Sequence, residues 1–478
     1  MKTFFLFKNT WLRMWYLGVV VCCLVLLFAC SSDNEDDGKE SVVPESAVIL
    51  NVDTSVRHQK VVGFGGTESM MTDYPALSAD DIDRLFGLSD VATSYQLGCN
   101  IMRVYVSNKE ENWPNKLSLI KRAKDEHGTK ILACFKSPCD EWKARKETID
   151  AVEDSEEGNV IYLKEKHYGD YALFIKHYLD YMETEGVPID YVSIQNELDL
   201  GINGDFFESC HWEPDDMYDF VRHHLAKISM KSKFVGIEGS FFGEKTLNYA
   251  DLILNDPATA NSIDLIAFHL YGKDEGKEYI ESYPLATEKN KELWVTEYLM
   301  DDAWTKWEEV GGIENVRSKG DEVILRETMK FAELINKCML SDFNAFLWGE
   351  MKRYCSFIGD GYAATKMNEI QKRGYIFSHF AKYVTGKTRI GVVSKGAENL
   401  SVSAYINGFE NEIVVMVINA NDGAYSDVKL KLPFKVRRIN TIVTSRTLNV
   451  HSDIFAVDDT QYMASVEPYS VTTFVFTR

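Results

Sequence analysis

Two stretches of this chain end an apolar run on a carboxylate. In Asp190-Tyr-Val-Ser-Ile-Gln-Asn-Glu197 the β-branched Val192 and Ile194 read as a buried strand that stops at Gln195, Asn196 and Glu197. Glu292-Leu-Trp-Val-Thr-Glu297 repeats the design. A carboxylate at the tip of an apolar strand is costly to bury unless it is paired or used. Two carboxylates brought together at strand ends are what retaining hydrolysis of a glycosidic bond requires, one attacking and one handling the proton. The ionised member of such a pair holds its partner protonated, and glycosylation then removes that charge and frees the partner to act as a base. The rival reading is that strand-end glutamates are structural ion pairs.

The chain around these stretches alternates strand and helix. Val61-Val-Gly-Phe-Gly-Gly66, Cys99–Val106, Lys130–Phe135, Asp190–Glu197, Lys233–Glu238, Ser262–Tyr271, Glu292–Glu297 and Asn344–Trp348 read as eight strands. Helical patterns fall between them at 78–97, 117–127, 167–185, 214–229 and 321–340, and a helix over 368–384 closes the series. Eight such units imply parallel pairing, right-handed crossovers and a (β/α)8 TIM barrel, an α/β fold. From about 389 the texture changes to alternating strands with turn residues between them, which predicts a side β-sandwich. The short strand Ala47–Val52 precedes the barrel, and 47–60 is expected to pair with that side domain. The barrel domain then spans 47–388 and the side domain 389–478.

Functional residues of such a barrel gather at the C-terminal ends of its strands. Those ends hold Gly65-Gly66, Arg103, Asn196-Glu197, Glu238, His269 to Tyr271, Glu297 and Trp348. Glu197 and Glu297 are the catalytic candidates, and Glu238 is read as their support. Asn196 is placed to bond a sugar 2-hydroxyl, Tyr271 to orient the nucleophile, and Trp348 to floor a sugar subsite. Trp113, in the loop after the second strand, is a further candidate substrate contact. A buried Arg must be paired, so Arg103 is either a structural ion pair or a partner of a catalytic carboxylate. His269 is placed in the same supporting group. The glycines of the first strand permit close approach of backbone to a ligand, but they lack the spacing and lysine of a phosphate loop. No metal or organic cofactor is implied.

The N-terminus reads as an export signal. Lys2, Lys8 and Arg13 precede the apolar run Leu17 to Ala29, and Cys30 follows. Leu27-Phe-Ala-Cys30 is similar to a bacterial lipobox, in which the cysteine is lipidated. The acidic stretch Ser31 to Asp37 then reads as a tether. Residues 1–29 are thus a lipoprotein signal peptide and 30–46 a flexible tether. The expected location is the outer membrane or cell surface of a Gram-negative bacterium, with the membrane as a partner through Cys30. The net charge of −21 argues against nucleic acid as a ligand. Six cysteines follow Cys30, at 99, 134, 139, 210, 338 and 355. Their spacing matches no zinc pattern. Buried free thiols are the default, though export would permit a bridge among Cys139, Cys210 and Cys355.

Taken in order, several motifs resemble glycoside hydrolase family 30, and within it the bacterial glucuronoxylanase group. They are Gly63-Phe-Gly-Gly66, Ile194-Gln-Asn-Glu197, Ile253-Leu-Asn-Asp-Pro257, His269-Leu-Tyr-Gly272, Leu293-Trp-Val-Thr-Glu297, Lys372-Arg-Gly-Tyr375, Phe377-Ser-His-Phe380 and Ser470-Val-Thr-Thr-Phe474. The resemblance covers roughly residues 48–478. It implies a (β/α)8 barrel with a side β-structure built from both chain ends, retention of configuration, Glu197 as acid/base and Glu297 as nucleophile. It also implies a xylan-type polysaccharide as substrate and places Arg353 where that group holds a glucuronate branch. The chain departs from the group's pattern at Gly349, Tyr354, Phe135-Lys-Ser-Pro138 and Leu198. These departures leave the branch requirement open. They keep alive hydrolysis of another β-linked glycan, such as a β-1,6-glucan, or exo-acting β-xylosidase action. Sugar binding without turnover is a third reading.

Overall fold

The computed structural model describes residues 48–69, 76–147, 159–200, 209–271, 280–299, 321–362 and 365–478. Cys30 and the whole export segment lie outside the described residues. The first described strand, β1 (Val48–Lys60), belongs to the side domain. The hairpin β5 (Lys143–Glu147) and β6 (Asn159–Leu163) forms a separate two-stranded sheet, with one parallel bridge from Tyr162 to His211.

Eight strands close the barrel: β2 (Gly63–Thr67), β3 (Ile101–Val106), β4 (Lys130–Phe135), β7 (Tyr191–Ser193), β8 (Lys233–Gly239), β9 (Leu265–His269), β10 (Glu292–Glu297) and β11 (Ala345–Trp348). Every neighbouring pair is parallel, and β11 returns to β2. The helices Leu117–His127, Tyr168–Thr184 and Asp321–Leu340 lie where their apolar spacing predicts. Two others stop early. The helix from Ala79 ends at Phe86, where Gly87 takes an extended conformation, and the helix from Pro214 ends at His223.

Inside the barrel, strand alternation sorts side chains into layers. Ile101, Leu132, Tyr191, Val235, Leu265, Ala267, Trp294, Ala345 and Leu347 form a closed apolar layer. Tyr191 and Trp294 meet across it with ring centroids 4.6 Å apart. One step of two residues along β3, β4 and β9 leads from this apolar floor to Arg103, Cys134 and His269. Gly65 serves the barrel wall rather than a ligand. A Cβ there would lie 1.7 Å from the Ile101 carbonyl oxygen, so β2 and β3 require glycine at that point.

The side domain contains β12 (Thr388–Lys395), β13 (Ser401–Ile406), β14 (Glu412–Asn419), β15 (Tyr425–Thr444), β16 (His451–Val466) and β17 (Ser470–Thr477). Together with β1 they form one seven-stranded sheet in the order β1-β12-β13-β14-β17-β15-β16. As expected, β1 joins it from the other end of the chain. It pairs antiparallel with β12 and parallel with β15, so the sheet folds over its own core of Leu50, Ile413, Val415, Leu430 and Phe476. No disulfide joins Cys139, Cys210 and Cys355, so the bridge that export would permit does not form.

Candidate active site

The layer above the apolar floor is ionic. Arg103 is fully buried and donates to Glu238, Glu297, Asn196, Thr67 and Cys134. Its Nε and Nη2 lie 3.0 and 2.8 Å from one oxygen of Glu238. Its Nη1 donates to Glu297 at 2.6 Å, and its Nη2 donates to the Asn196 side-chain oxygen at 2.7 Å. The alternative left open by sequence is thereby resolved: Arg103 is an ion-pair residue, and its partners are the candidate site residues.

Glu297 is 3 % exposed at its side chain and collects donors. Besides Arg103, Tyr105 donates to it at 2.5 Å and Tyr271 at 2.9 Å. Burial alone would raise its carboxyl. The positive charges of His269 and Arg103 and the two phenol donors outweigh that and hold Glu297 below the usual carboxylate range. Burial pushes both phenols up, so they remain donors. Glu197 differs in setting. Its side chain is 21 % exposed and lies 3.0 Å from His269 Nδ1. Its backbone has φ 46°, a left-handed conformation uncommon outside glycine. The chain turns sharply there, at the mouth of the barrel, as β7 gives way to its loop.

His269 is fully buried between carboxylates. Its Nε2 lies 3.3 Å from Glu238 and its Nδ1 lies 4.0 Å from Glu297. Burial favours the neutral ring, but Glu297, Glu197 and Glu238 overcome it and raise the imidazole to about 10. Glu238 is held well below the carboxylate range, because Arg103 and His269 outweigh the effect of its burial. Cys134, whose thiol burial pushes up, donates to Glu238 at 3.1 Å.

Oxygen atoms of Glu197 and Glu297 and a nitrogen of His269 all lie within 4.8 Å of one another. As a metal site this grouping is poor in chemistry. Both His269 nitrogens already face carboxylates, and the Arg103 guanidinium supplies the local positive charge.

Two bulges make this geometry. On β8, Val235 faces the barrel interior, so strict alternation from it would put Ile237 inside and send Glu238 outward, yet Ile237 packs outside. The register of β8 with β9 shifts between Val235 and Glu238 and returns Glu238 to the interior. On β10, Trp294 faces in and Val295 faces out. A shift between Val295 and Glu297 then pairs Glu297 with His269.

Arg103, Asn196, Glu197, Glu238, His269, Tyr271 and Glu297 therefore converge. Trp348 and Trp113 do not join them. Trp348 has no exposed surface and packs against Phe331 at 4.8 Å and under Arg373 at 5.0 Å, so it cannot floor a subsite in this conformation. Trp113 is buried among Phe174, Tyr178 and Tyr181. Both are large apolar rings whose burial stabilises the fold. Arg353 is half-buried, with its guanidinium 5.4 Å from the Tyr354 ring centroid. At Gly349, one of the departures from the glucuronoxylanase pattern, a Cβ would lie 2.6 Å from Leu299, so a larger side chain has no space there. Tyr105 and Cys134 are site residues that the strand-end reading missed. Their signal was alternation, since each lies two residues along its strand from a residue on the interior face.

Comparison with known proteins agrees with this architecture. The model of the glycosyl hydrolase family 30 TIM-barrel domain matches residues 61–294. Glucuronoxylanase XynC of Bacillus subtilis (strain 168) is 27 % identical over 472 residues, covering 96 % of this chain and 98 % of that protein. The structure of a family 30 subfamily 8 xylanase, Xyn30A of Clostridium acetobutylicum, superposes with a TM-score of 0.71 at 25 % identity. It covers 90 % of this chain and all of the other. A family 30 endoxylanase of Clostridium papyrosolvens C71 shares the fold with a TM-score of 0.70 at 23 % identity, over 91 % of this chain and 100 % of that one.

Proposed function

We propose that this chain is a glycoside hydrolase of family 30, whose TIM-barrel model matches residues 61–294, and that it cleaves the β-1,4 backbone of plant xylan with retention of configuration, through Glu297 as nucleophile and Glu197 as acid/base. The observation that carries the mechanism is the approach of the two carboxylates to within 4.8 Å. Retaining enzymes hold their carboxyls about 5–5.5 Å apart, whereas inverting ones leave roughly 6.5–9.5 Å for a water. The asymmetry of their surroundings supports this division of roles. Glu297 is kept ionised by Arg103, His269 and two phenols, as a nucleophile must be. Glu197 is the more exposed of the two and lies at the mouth, where a leaving group and then a water can reach it.

In the first step a Glu297 oxygen attacks the anomeric carbon, the glycosidic bond breaks, and the leaving oxygen takes the proton of Glu197. In the second, Glu197 takes a proton from water, the water oxygen attacks the anomeric carbon, and Glu297 leaves as a carboxylate. Asn196, its oxygen fixed by Arg103, presents its amide N–H to the sugar 2-hydroxyl. Support for xylan comes from the relatives, and Arg353 is the residue on which glucuronate-branch recognition would rest. Lipidation at Cys30 would display the enzyme on the outer membrane.

A second reading, another β-linked glycan, draws support from the buried Trp113 and Trp348. Trp142 lines an acidic groove of about 750 Å³ together with Phe174, Glu110 and Asp140. Product profiling on glucuronoxylan, arabinoxylan and a β-1,6-glucan separates these readings. Products that each carry one glucuronate at a fixed position are expected, and Arg353→Ala should remove that regularity. Activity confined to the β-1,6-glucan overturns the xylan assignment. Methanol trapping with retained anomeric configuration is expected in either case. Palmitate labelling that is lost in Cys30→Ala checks the anchor.

A further inference from the structure

His269 touches both catalytic candidates, yet neither step of the reaction uses it as acid, base or nucleophile. Its surroundings suggest why it is there. Glu197 faces it from the loop after β7, Glu238 from β8 and Glu297 from β10, at 3.0, 3.3 and 4.0 Å. From the end of its own strand the Tyr271 ring stands edge-on, 5.7 Å from centroid to centroid. From β3, Arg103 ties Glu238 to Glu297 without bonding His269, and Tyr105 bonds Glu297. From β4, Cys134 donates to Glu238. Arg103 and His269 are the cations of this closed layer. Glu238 is one anion, and the other is whichever catalytic glutamate is ionised.

Resting on the two-glutamate reading, we propose that Glu238 is a positioning residue that holds His269 as a permanent imidazolium. One fixed cation then serves as counter-charge first to Glu297 and then to Glu197. During glycosylation Glu297 becomes a neutral ester while Glu197 gives up its proton. The negative charge leaves one neighbour of His269 and arrives on the other, and the second step returns it. The buried layer keeps the same net charge throughout, so no buried ion is left unpaired at either stage. Glu238 takes no part in bond making. It is fully buried and bonded by Arg103, Cys134 and His269, and its charge does not change. Its carboxylate supplies what the catalytic pair cannot, an anion present at every point of the cycle.

The test uses Glu238→Gln, which keeps the shape and a hydrogen-bond acceptor for His269 but removes the charge. The imidazole of His269 is followed by NMR in the wild type and in the variant. The wild-type ring is expected to stay protonated past pH ~9, and the variant ring to lose its proton at least about one pH unit lower. Wild-type titration near the ordinary histidine value would overturn the proposal even if the variant failed to fold. The kinetic readout is kcat/KM for dinitrophenyl β-xylobioside, whose leaving group needs no acid, so the alkaline limb is free of Glu197 as proton donor. In Glu238→Gln that limb should move down by at least about one unit, an approximately tenfold loss at the pH of the wild-type limb. The loss should vanish toward acid pH, and Glu238→Asp should restore most of the wild-type limb. A variant limb that coincides with the wild type's, or a loss of equal size at every pH, sinks the proposal. Failure of the mechanism itself looks different. It is inversion in wild-type methanolysis, and the NMR titration is independent of that outcome.

Discussion

His269 and His379 are both fully buried, and their surroundings drive them in opposite directions. His269 sits at the barrel mouth among three carboxylates, which overcome burial and raise it to about 10. His379 lies on the helix Lys372–Tyr383, between Thr473 on β17 at 2.8 Å and Thr444 on β15 at 2.9 Å. No carboxylate offsets its burial, and it falls to about 3. The first is an ion in a reacting layer. The second is a neutral peg between the barrel's last helix and the side domain. Burial alone does not decide the state of a histidine; the charge of its neighbours does.

The signs for stability follow. His269 is raised in the folded protein, so its contribution is full below the ordinary value near 6.5 and is lost as pH rises through about 10. His379 is depressed, so the folded state resists a proton that the unfolded chain accepts. Its contribution is full above about 6.5 and is lost as pH falls toward about 3.

The largest change should come from Glu297→Gln, which removes the anion shared by Arg103, Tyr105, Tyr271 and His269. Turnover is expected to fall by at least ~10⁴-fold with the fold retained, and the His269 imidazole should titrate lower, toward the behaviour of His379. Wild-type-like turnover would end the nucleophile assignment. Arg103→Met comes next. It leaves Glu238 and Glu297 without their buried cation, and thermal or denaturant unfolding should show a loss of about 3–5 kcal/mol at neutral pH. Retained stability would mean that His269 alone balances the layer. Tyr105→Phe removes one charge-assisted donor from Glu297, an interaction worth about 1.5–3 kcal/mol. A fall in kcat of roughly tenfold to a hundredfold is expected. The smallest effect belongs to the peg. His379→Gln should cost about 1–2 kcal/mol at pH 7. It should also remove a pH dependence of up to about 1.4 kcal/mol per unit between pH ~6.5 and ~5, measured against the wild type. An unchanged slope would mean that His379 already carries its proton at the junction.

Much of this site was legible along the chain. Val192 and Ile194 running into Asn196-Glu197, and Leu293 to Val295 running into Glu297, are local patterns. A carboxylate ending an apolar strand signals use or pairing wherever it occurs. Trp113 and Trp348 misled because an indole serves a core as well as a sugar platform, and its composition is the same in both. For Cys139, Cys210 and Cys355 the default of thiols holds, but residue type alone left a bridge open and only Cα placement decides it.

Strand and helix periodicity, the eightfold alternation, the change of texture near 389 and the two glutamates at strand tips were all determined by the amino-acid sequence, because each depends on neighbours within a few residues. The interior direction of Glu238 and Glu297 was decided only in the tertiary structure. Simple alternation points both outward, and the register shifts that bring them in exist only where β8 and β10 pair with β9. The closure of the side sheet was decided there too, since β1 meets β15 across the whole barrel segment of the sequence. The charge on His269 belongs to the same class. It arises from Glu197, Glu238 and Glu297, three residues distant in sequence that meet around one ring.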